Sequence, residues 1–311
     1  MVPGCQDGSE GGSAGCPAGG LAEVTPSYAE TDMLSGLDAS GQALIEDELI
    51  LGRLGSLEVR IATTLEELHQ AQRLRFDVFY KEMSAIEGDE ARETGRDADD
   101  YDAICDHLLV LDHSDMKSGK PAVVGTYRLL RQQIANRYQG FYTAAEFDIE
   151  PLIAANPDLN FLELGRSCVL KPYRDKRTVE LMWQGIWNYV RRNRLDVMFG
   201  CASLEGIDPV QLALPLSFLH HYAASPEHWR VRALAERYVS MDMMPKEQIN
   251  PKKALHELPP LIKGYLRLGA GFGDGAVIDP QFQTTDVLVM LPVSSLNPRY
   301  LTYFGPSNEV S

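Results

Sequence analysis

Apolar and polar residues change their period along this chain, and those changes outline one α/β unit. Residues 57–62 (LEVRIA) alternate with period two and predict a first strand. Thr64 then offers an N-cap oxygen and Glu67 stands at capping-box spacing, so a helix follows. Its apolar positions Leu65, Leu68, Leu74, Val78 and Phe79 fit a helical stripe loosely, with Ala71 and Phe76 filling gaps. Residues 86–106 are strongly acidic and read as a loop. Two strands are expected at 107–113 (HLLVLDH) and 122–130 (AVVGTYRLL), joined by a Ser-Gly-Lys-Pro turn. A short helical segment near 143–154 leads to a strand at 161–170 (FLELGRSCVL). The longest helical pattern covers 178–194. A strand at 197–202, a helix at 209–223, a β-rich region around 230–241, a helix near 259–269 and a strand at 286–291 complete the series. This order mixes strands and helices without strict alternation, which predicts a mixed sheet flanked by helices.

Residues 1–40 are rich in Gly, Ser and Ala and offer little to bury. Together with the following acids they read as a disordered acidic tail over 1–50, ahead of a single domain over 51–305 and a short end at 306–311. The net charge of −15 is uneven: residues 1–50 hold nine acids and neither Lys nor Arg. From Arg166 to Arg194 eight basic residues face two acids. A basic patch on an acidic protein points to an anionic partner met locally and away from nucleic acid. Five scattered cysteines show no metal-ligand spacing, so a reducing, cytoplasmic setting and no metal are expected. Neither a nucleotide-binding glycine loop nor a membrane-spanning apolar run is present.

Four short segments stand out for their charges. In FLELGRSCVL, Glu163 and Arg166 interrupt a strand otherwise fit for a sheet centre, and burying them unpaired is expensive. Gly165 between them marks a bulge or a close ligand approach. A bulge matters, because strict alternation would put the two charges on opposite faces. Arg128 in GTYRLL repeats the anomaly. In RLRFDVFYKEM (73–83), Arg75 and Phe79 share one helix face, which by itself reads as a solvated arginine beside a core ring. In DADDYD (97–102) the carboxylates suit an amine or a proton, and the segment lacks the glycine and spacing of a calcium loop.

Taken in order, RLRFDVF, DDYD, VVGTYRLL, FDI (147–149) and LELGRSCV resemble the pattern of acyl-homoserine-lactone autoinducer synthases. Two features depart from it: no tryptophan follows the first segment, and the chain runs longer. The stretch 258–305, with RLRFDVFYKEM and GRSCVLKPYRD, is similar instead to bacterial L-ornithine Nα-acyltransferases. That resemblance implies an acetyltransferase-like (GNAT) α/β fold. It also implies an enzyme that moves a 3-hydroxyacyl group from acyl carrier protein to the α-amine of L-ornithine, the first step toward ornithine lipid. Glu163, Arg166, Asp100 and Asp102 are then the candidate catalytic residues, and Arg75, Phe79 and Arg128 the candidate substrate contacts. The product is amphiphilic, which implies transient contact with the inner membrane surface.

CoA-using members of the fold have a glycine-rich turn that cradles a pyrophosphate at a helix start. Here the turn reads KPYRDKRTVE (171–180), without glycine. The expected donor is therefore acyl carrier protein, no cofactor is expected to stay bound, and Arg174, Lys176 and Arg177 are assigned to the pantetheine phosphate and the acidic carrier. Direct attack by the amine is expected, with Glu163 taking the proton. Backbone N–H groups from Gly165 to Cys168 hold the oxyanion, and Arg166 or Arg128 the substrate carboxylate. Cys168 raises the option of an acyl-enzyme, weighed against by the lack of a nearby histidine. The alternatives are glycine or an aromatic amino acid as acceptor, a lactone synthase, and a carrier-binding module without catalysis.

Overall fold

The structure, a computed structural model, describes residues 49–117 and 119–296. In chain order its strands are β1 (Ile50–Leu54), β2 (Leu57–Ile61), β3 (Asp106–Lys117), β4 (Lys120–Arg131), β5 (Phe161–Val169), β6 (Val197–Glu205), β7 (Gly271–Asp279) and β8 (Thr284–Pro292). The helices are α1 (Leu65–Phe76), α2 (Asp89–Thr94), α3 (Gln132–Ala135), α4 (Glu150–Ala155), α5 (Lys176–Arg192), α6 (Ala213–Tyr222), α7 (Pro251–Glu257) and α8 (Pro260–Leu268). The tails expected over 1–50 and 306–311 lie outside the described residues, except that Ile50 already belongs to β1.

The strands form one mixed sheet in the order β1-β2-β3-β4-β5-β6-β8-β7. Neighbours run antiparallel apart from β5 and β6, which are parallel and joined through α5. Alternation decides what each face buries. On β3, Leu108 and Val110 join Leu181 and Ile186 of α5, while Leu109 and Leu111 join Ala71 of α1. On β8, Val287 and Val289 pack with α6 and α8, and Leu288 and Met290 face Phe141 and Phe147 on the other side. Both faces are thus covered, as expected of strands with near-continuous apolar runs.

Local signals account for the helix starts. Thr64 caps α1 by accepting the Glu67 N–H at 3.3 Å. Beyond Phe76 the helix widens into a π segment, Asp77–Glu82, with Met83 N–H bonded to Val78 O five residues back. That extra residue per turn explains the loose apolar stripe, and it marks a place where helices commonly present functional side chains.

Three sequence expectations change. β7 (GFGDGAVID) has no counterpart among the expected elements, and register with β8 makes it a strand. The β-rich region around 230–241 is irregular: it touches β7 through isolated bridges Arg232–Asp274 and Val239–Ala276 and so covers an otherwise open sheet edge. The acidic stretch 86–106 is not one loop but contains α2 and a 3-10 turn, Asp100–Ala103.

The central feature is a split in the sheet. Among the described residues β5 and β6 pair over Phe161–Glu163 alone, from Phe161↔Val197 to Glu163↔Phe199. β6 then stays with β8 out to Glu205, while β5 stays with β4 out to Val169. Just past the last paired residues the backbones touch: a Cβ on Gly200 would stand 2.2 Å from the Leu164 carbonyl oxygen. Backbone cannot step aside as a side chain can. Gly200→Ala is expected to cost about 2 kcal/mol and to lower activity, checked by denaturant melting and product formation.

Candidate active site

Opposite the split, β5 carries the bulge that the sequence predicted. Thr126↔Cys168 and Arg128↔Gly165 leave one extra residue on β5, and Arg166 adopts φ +49°. This left-handed conformation is uncommon for a residue with a side chain. The bulge brings Glu163 and Arg166 to the same cavity despite their spacing.

Three arginines from three elements meet the acidic 97–102 segment. Arg75 of α1, 1% exposed, donates from Nη1 and Nη2 to both oxygens of Asp102 at 2.9 and 2.6 Å, with Nε 2.9 Å from Asp97 Oδ2. Arg128 of β4 donates from Nη1 to Asp99 Oδ1 at 2.5 Å and to Asp102 Oδ1 at 3.2 Å. Arg166 donates from Nε to Asp97 Oδ2 and from Nη2 to Asp99 Oδ2, both at 3.2 Å. The 3-10 turn arranges the acids, because Asp99 accepts the Tyr101 N–H at 3.0 Å and Asp102 accepts the Asp99 N–H at 3.3 Å. Burial opposes the charge on Asp102, yet the Arg75 and Arg128 guanidiniums outweigh it and hold this carboxyl far below the carboxylate range.

Aromatic rings complete the charged wall. Tyr142 lies 5.0 Å from the Arg166 guanidinium and 5.5 Å from that of Arg128, and Phe282 lies 4.7 Å from Arg166. Glu163 fixes the turn that carries Tyr142. Its Oε2 accepts the Tyr142 N–H at 2.9 Å, and its Oε1 accepts the Thr143 N–H and hydroxyl at 2.6 and 2.5 Å. Burial raises the Glu163 carboxyl, and these bonds and Arg128 only partly offset it.

The cavity holds about 480 Å³. One wall is charged. The lining also includes the apolar side chains of Phe79, Met83, Val179, Met182, Trp183 and Leu261. Of the residues singled out from sequence, Phe79, Arg128, Glu163, Arg166 and Arg174 line it. Arg75 and Asp102 stand behind it as a buried pair. Asp100, a candidate catalytic residue from sequence, is exposed and outside the lining, and it is Asp97 and Asp99 that join Asp102 beside the arginines. Arg174 donates to Glu82 and to the Val169 carbonyl, each at 2.8 Å. Lys176 and Arg177 are exposed at the start of α5, whose N-terminus Asp175 caps through the Thr178 N–H at 2.9 Å.

Cys168 lines the cavity, but burial pushes its thiol up, so little thiolate is present at neutral pH. Cys168→Ala is therefore expected to retain most of the activity in a product assay. Its loss would point to an acyl-enzyme.

The chain matches the Acetyltransferase (GNAT) domain family over residues 74–184. A protein of Brucella abortus (strain 2308) named L-ornithine N(alpha)-acyltransferase is 54% identical over 275 residues, which is 88% of this chain and 98% of that protein. The chain belongs to this family. A second member, from Rhizobium meliloti (strain 1021) and with the same name, is 54% identical over 82% of this chain and 86% of its own length. An N-acyl amino acid synthase from uncultured soil microbes, FeeM, is a looser structural likeness, with a TM-score of 0.42 and 12% identity over 79% of this chain and 93% of that one. The protein is thus an acyltransferase of the GNAT fold.

Sequence reasoning missed Tyr142, Glu146, Asp279, Phe282 and Asp286, which flank the charged wall of this acyltransferase. Tyr142, Asp279, Phe282 and Asp286 line the cavity, and Glu146 is buried beside it at 4% exposure. Asp286 opens the apolar run DVLVML, a signal easily taken for a strand end. Asp279 ends β7, and the others sit in turns that only tertiary contacts bring to β5.

Proposed function

We propose that this acyltransferase moves a 3-hydroxyacyl group from the pantetheine thioester of acyl carrier protein to the α-amine of L-ornithine, giving lyso-ornithine lipid. The observation that carries the reading is the cavity at the sheet split, whose lining combines apolar side chains with buried charged ones. An acyl chain suits the first and a zwitterionic amino acid the second. The relatives' shared name supports the acceptor.

The amine attacks as the free base. Its nitrogen bonds to the thioester carbon, and the carbonyl oxygen becomes an oxyanion. Beyond Glu163 the β5 edge turned toward β6 has no partner strand among the described residues, so its N–H groups suit that oxyanion. The intermediate collapses by breaking the C–S bond, and the thiolate leaves. Glu163 Oε2, which accepts the Tyr142 N–H and keeps further lone pairs, takes the amine's proton and returns it to the thiolate. Arg166 stands at the cavity for the substrate carboxylate.

The donor reading rests on the start of α5. Asp175 already satisfies the helix N-terminus with its own carboxylate, and the turn has no glycine to cradle a pyrophosphate. Arg174, Lys176 and Arg177 instead offer side-chain charges to one phosphate and to an acidic carrier. No helix among the described residues is long and apolar enough to cross a membrane. The amphiphilic product would leave at the inner membrane surface.

The test supplies the full chain with ornithine and one 3-hydroxyacyl group, carried either on acyl carrier protein or on CoA. Acyl-ornithine by mass and released thiol, formed faster from the carrier, are expected. Absence of acyl-ornithine overturns the acceptor, and equal rates from both donors overturn the carrier.

A further inference from the structure

One group of acids takes no part in the arginine network. Asp279 and Asp286, on the β7–β8 hairpin, line the cavity. Glu146, next to the Tyr142–Ala145 turn, closes the group from the buried side. One carboxylate oxygen from each residue lies within 4.8 Å of the other two. Their partners compensate them incompletely. Arg237 Nη2 stands 3.3 Å from Glu146 Oε1. Asp286 Oδ1 accepts the Thr284 hydroxyl at 2.9 Å, and Asp279 Oδ1 accepts the Gln281 and Phe282 N–H groups at 2.8 and 3.0 Å. Glu146 Oε2 is fully buried without an N–H or O–H donor, and the Cys201 thiol beside this carboxyl is a weak one. A buried carboxylate so weakly satisfied is costly, and neighbouring carboxylates add repulsion. Burial and then the Asp286 charge push the Glu146 carboxyl up to about 7, and burial raises Asp286 as well. One guanidinium, Arg237, faces three carboxylates, so the cluster is short of positive charge.

It also lies a short step from the transfer site. Thr143 Oγ1 donates to Glu163 Oε1 at 2.5 Å and sits 3.7 Å from Cys201 Sγ, whose thiol neighbours Glu146.

We infer that Glu146, Asp279 and Asp286 form the binding site for the side-chain ammonium of the amino-acid acceptor. The inference rests on the ornithine reading above and gives it a specificity device. A primary ammonium has three donors, one for each carboxylate. At N···O distances of about 2.8 Å, its tetrahedral N–H bonds place their acceptors roughly 4.6 Å apart, which suits the observed grouping. Three methylenes span about 5 Å from α-carbon to side-chain nitrogen, and Thr143, bonded to Glu163, lies 3.7 Å from the Cys201 sulfur beside Glu146. A calcium ion asks for about six to eight oxygens, and three of the cluster's carboxylate oxygens already serve Arg237, the Thr284 hydroxyl and the Gln281 and Phe282 N–H groups. Discrimination follows from what a wrong acceptor leaves behind. An amino acid ending in a methyl group leaves the carboxylates without their cation, and a site built for hydrogen bonds rejects such an analogue strongly.

The test compares L-ornithine with L-norvaline, which has the same carbon chain without the side-chain amine. kcat and KM are measured for the full enzyme, Asp286→Asn and Asp279→Asn, with the donor that the unsubstituted enzyme uses. Asparagine keeps the Oδ1 acceptor in both variants, so the hairpin bonds persist. The unsubstituted enzyme is expected to favour ornithine by at least about a hundredfold in kcat/KM. Each variant should cut that preference at least about tenfold, mainly through the ornithine KM. A variant that slows both acceptors equally and keeps the preference overturns the inference, because the cluster would then serve the α-amine or the fold. Activity abolished by EDTA and restored by Mg²⁺ or Ca²⁺ overturns it in favour of a metal. No acyl-ornithine from the unsubstituted enzyme sinks the ornithine reading itself, and this inference with it. Should Asp286→Asn fail to fold, Asp279→Asn, at a half-buried position, decides alone.

Discussion

Asp102→Ala is expected to destabilise the protein by about 4 kcal/mol, the scale of breaking a buried ion pair from one side. Asp102 is 5% exposed and serves two guanidiniums at once, through both oxygens to Arg75 and through Oδ1 to Arg128. It also accepts the Gln72 amide at 2.9 Å. Alanine leaves both arginines short of charge inside the sheet and leaves that amide without its acceptor. Asp97 and Asp99 retain one contact to each arginine, which keeps the loss below total unfolding for a domain of ordinary stability. Denaturant melting of variant and parent measures the difference. The pH dependence has a defined sign. A carboxyl whose folded pKa is depressed contributes stability above its unfolded value, ordinarily 3.8 for Asp, and that contribution fades as pH falls below it. The gap between variant and parent should therefore be full near neutral pH and shrink as pH falls below about 4.

Much of the sheet was legible in the sequence, because each strand that packs on both faces writes a long apolar run. β3, β4 and β5 appear within a few residues of their expected bounds. β1 and β7 escaped for a physical reason: glycines interrupt both, and pairing with β2 and β8 makes them strands. The site divides in the same way. Arg128, Glu163 and Arg166 showed themselves as charges inside apolar strands, and Gly165 foretold the bulge. Asp279 and Glu146 border turns and Asp286 starts an apolar run, places where acids are common and say nothing about burial. Their proximity follows from the β7–β8 hairpin reaching the split, which no local pattern encodes. The widening of α1 into a π segment left a faint mark in its irregular stripe, and it takes the backbone bond from Met83 to Val78 to make that mark meaningful.

Arg166→Ala is expected to lower kcat/KM for the acceptor by roughly a hundred- to a thousandfold while costing less stability than Asp102→Ala. The asymmetry comes from who is left behind. Removing Arg166 leaves Asp97 with Arg75 and Asp99 with Arg128, so no buried charge is orphaned. The backbone makes the separation sharper. Arg166 holds φ +49°, a conformation that costs a side-chain-bearing residue roughly 1 kcal/mol and glycine almost nothing. Arg166→Gly should accordingly be at least as stable as Arg166→Ala and equally inactive. Such a pair tells chemistry from folding: glycine relieves the backbone, but neither variant restores a guanidinium held between Asp97, Asp99, Tyr142 and Phe282. Arg166→Lys keeps the positive charge and loses the planar fork that reaches two aspartates, so recovery of activity there would assign the role to charge alone. Activity preserved in the alanine variant would remove the bulged arginine from the site and leave its strain without a purpose. Product formation against acceptor concentration, measured beside denaturant melting for all three variants, reads each of these outcomes directly.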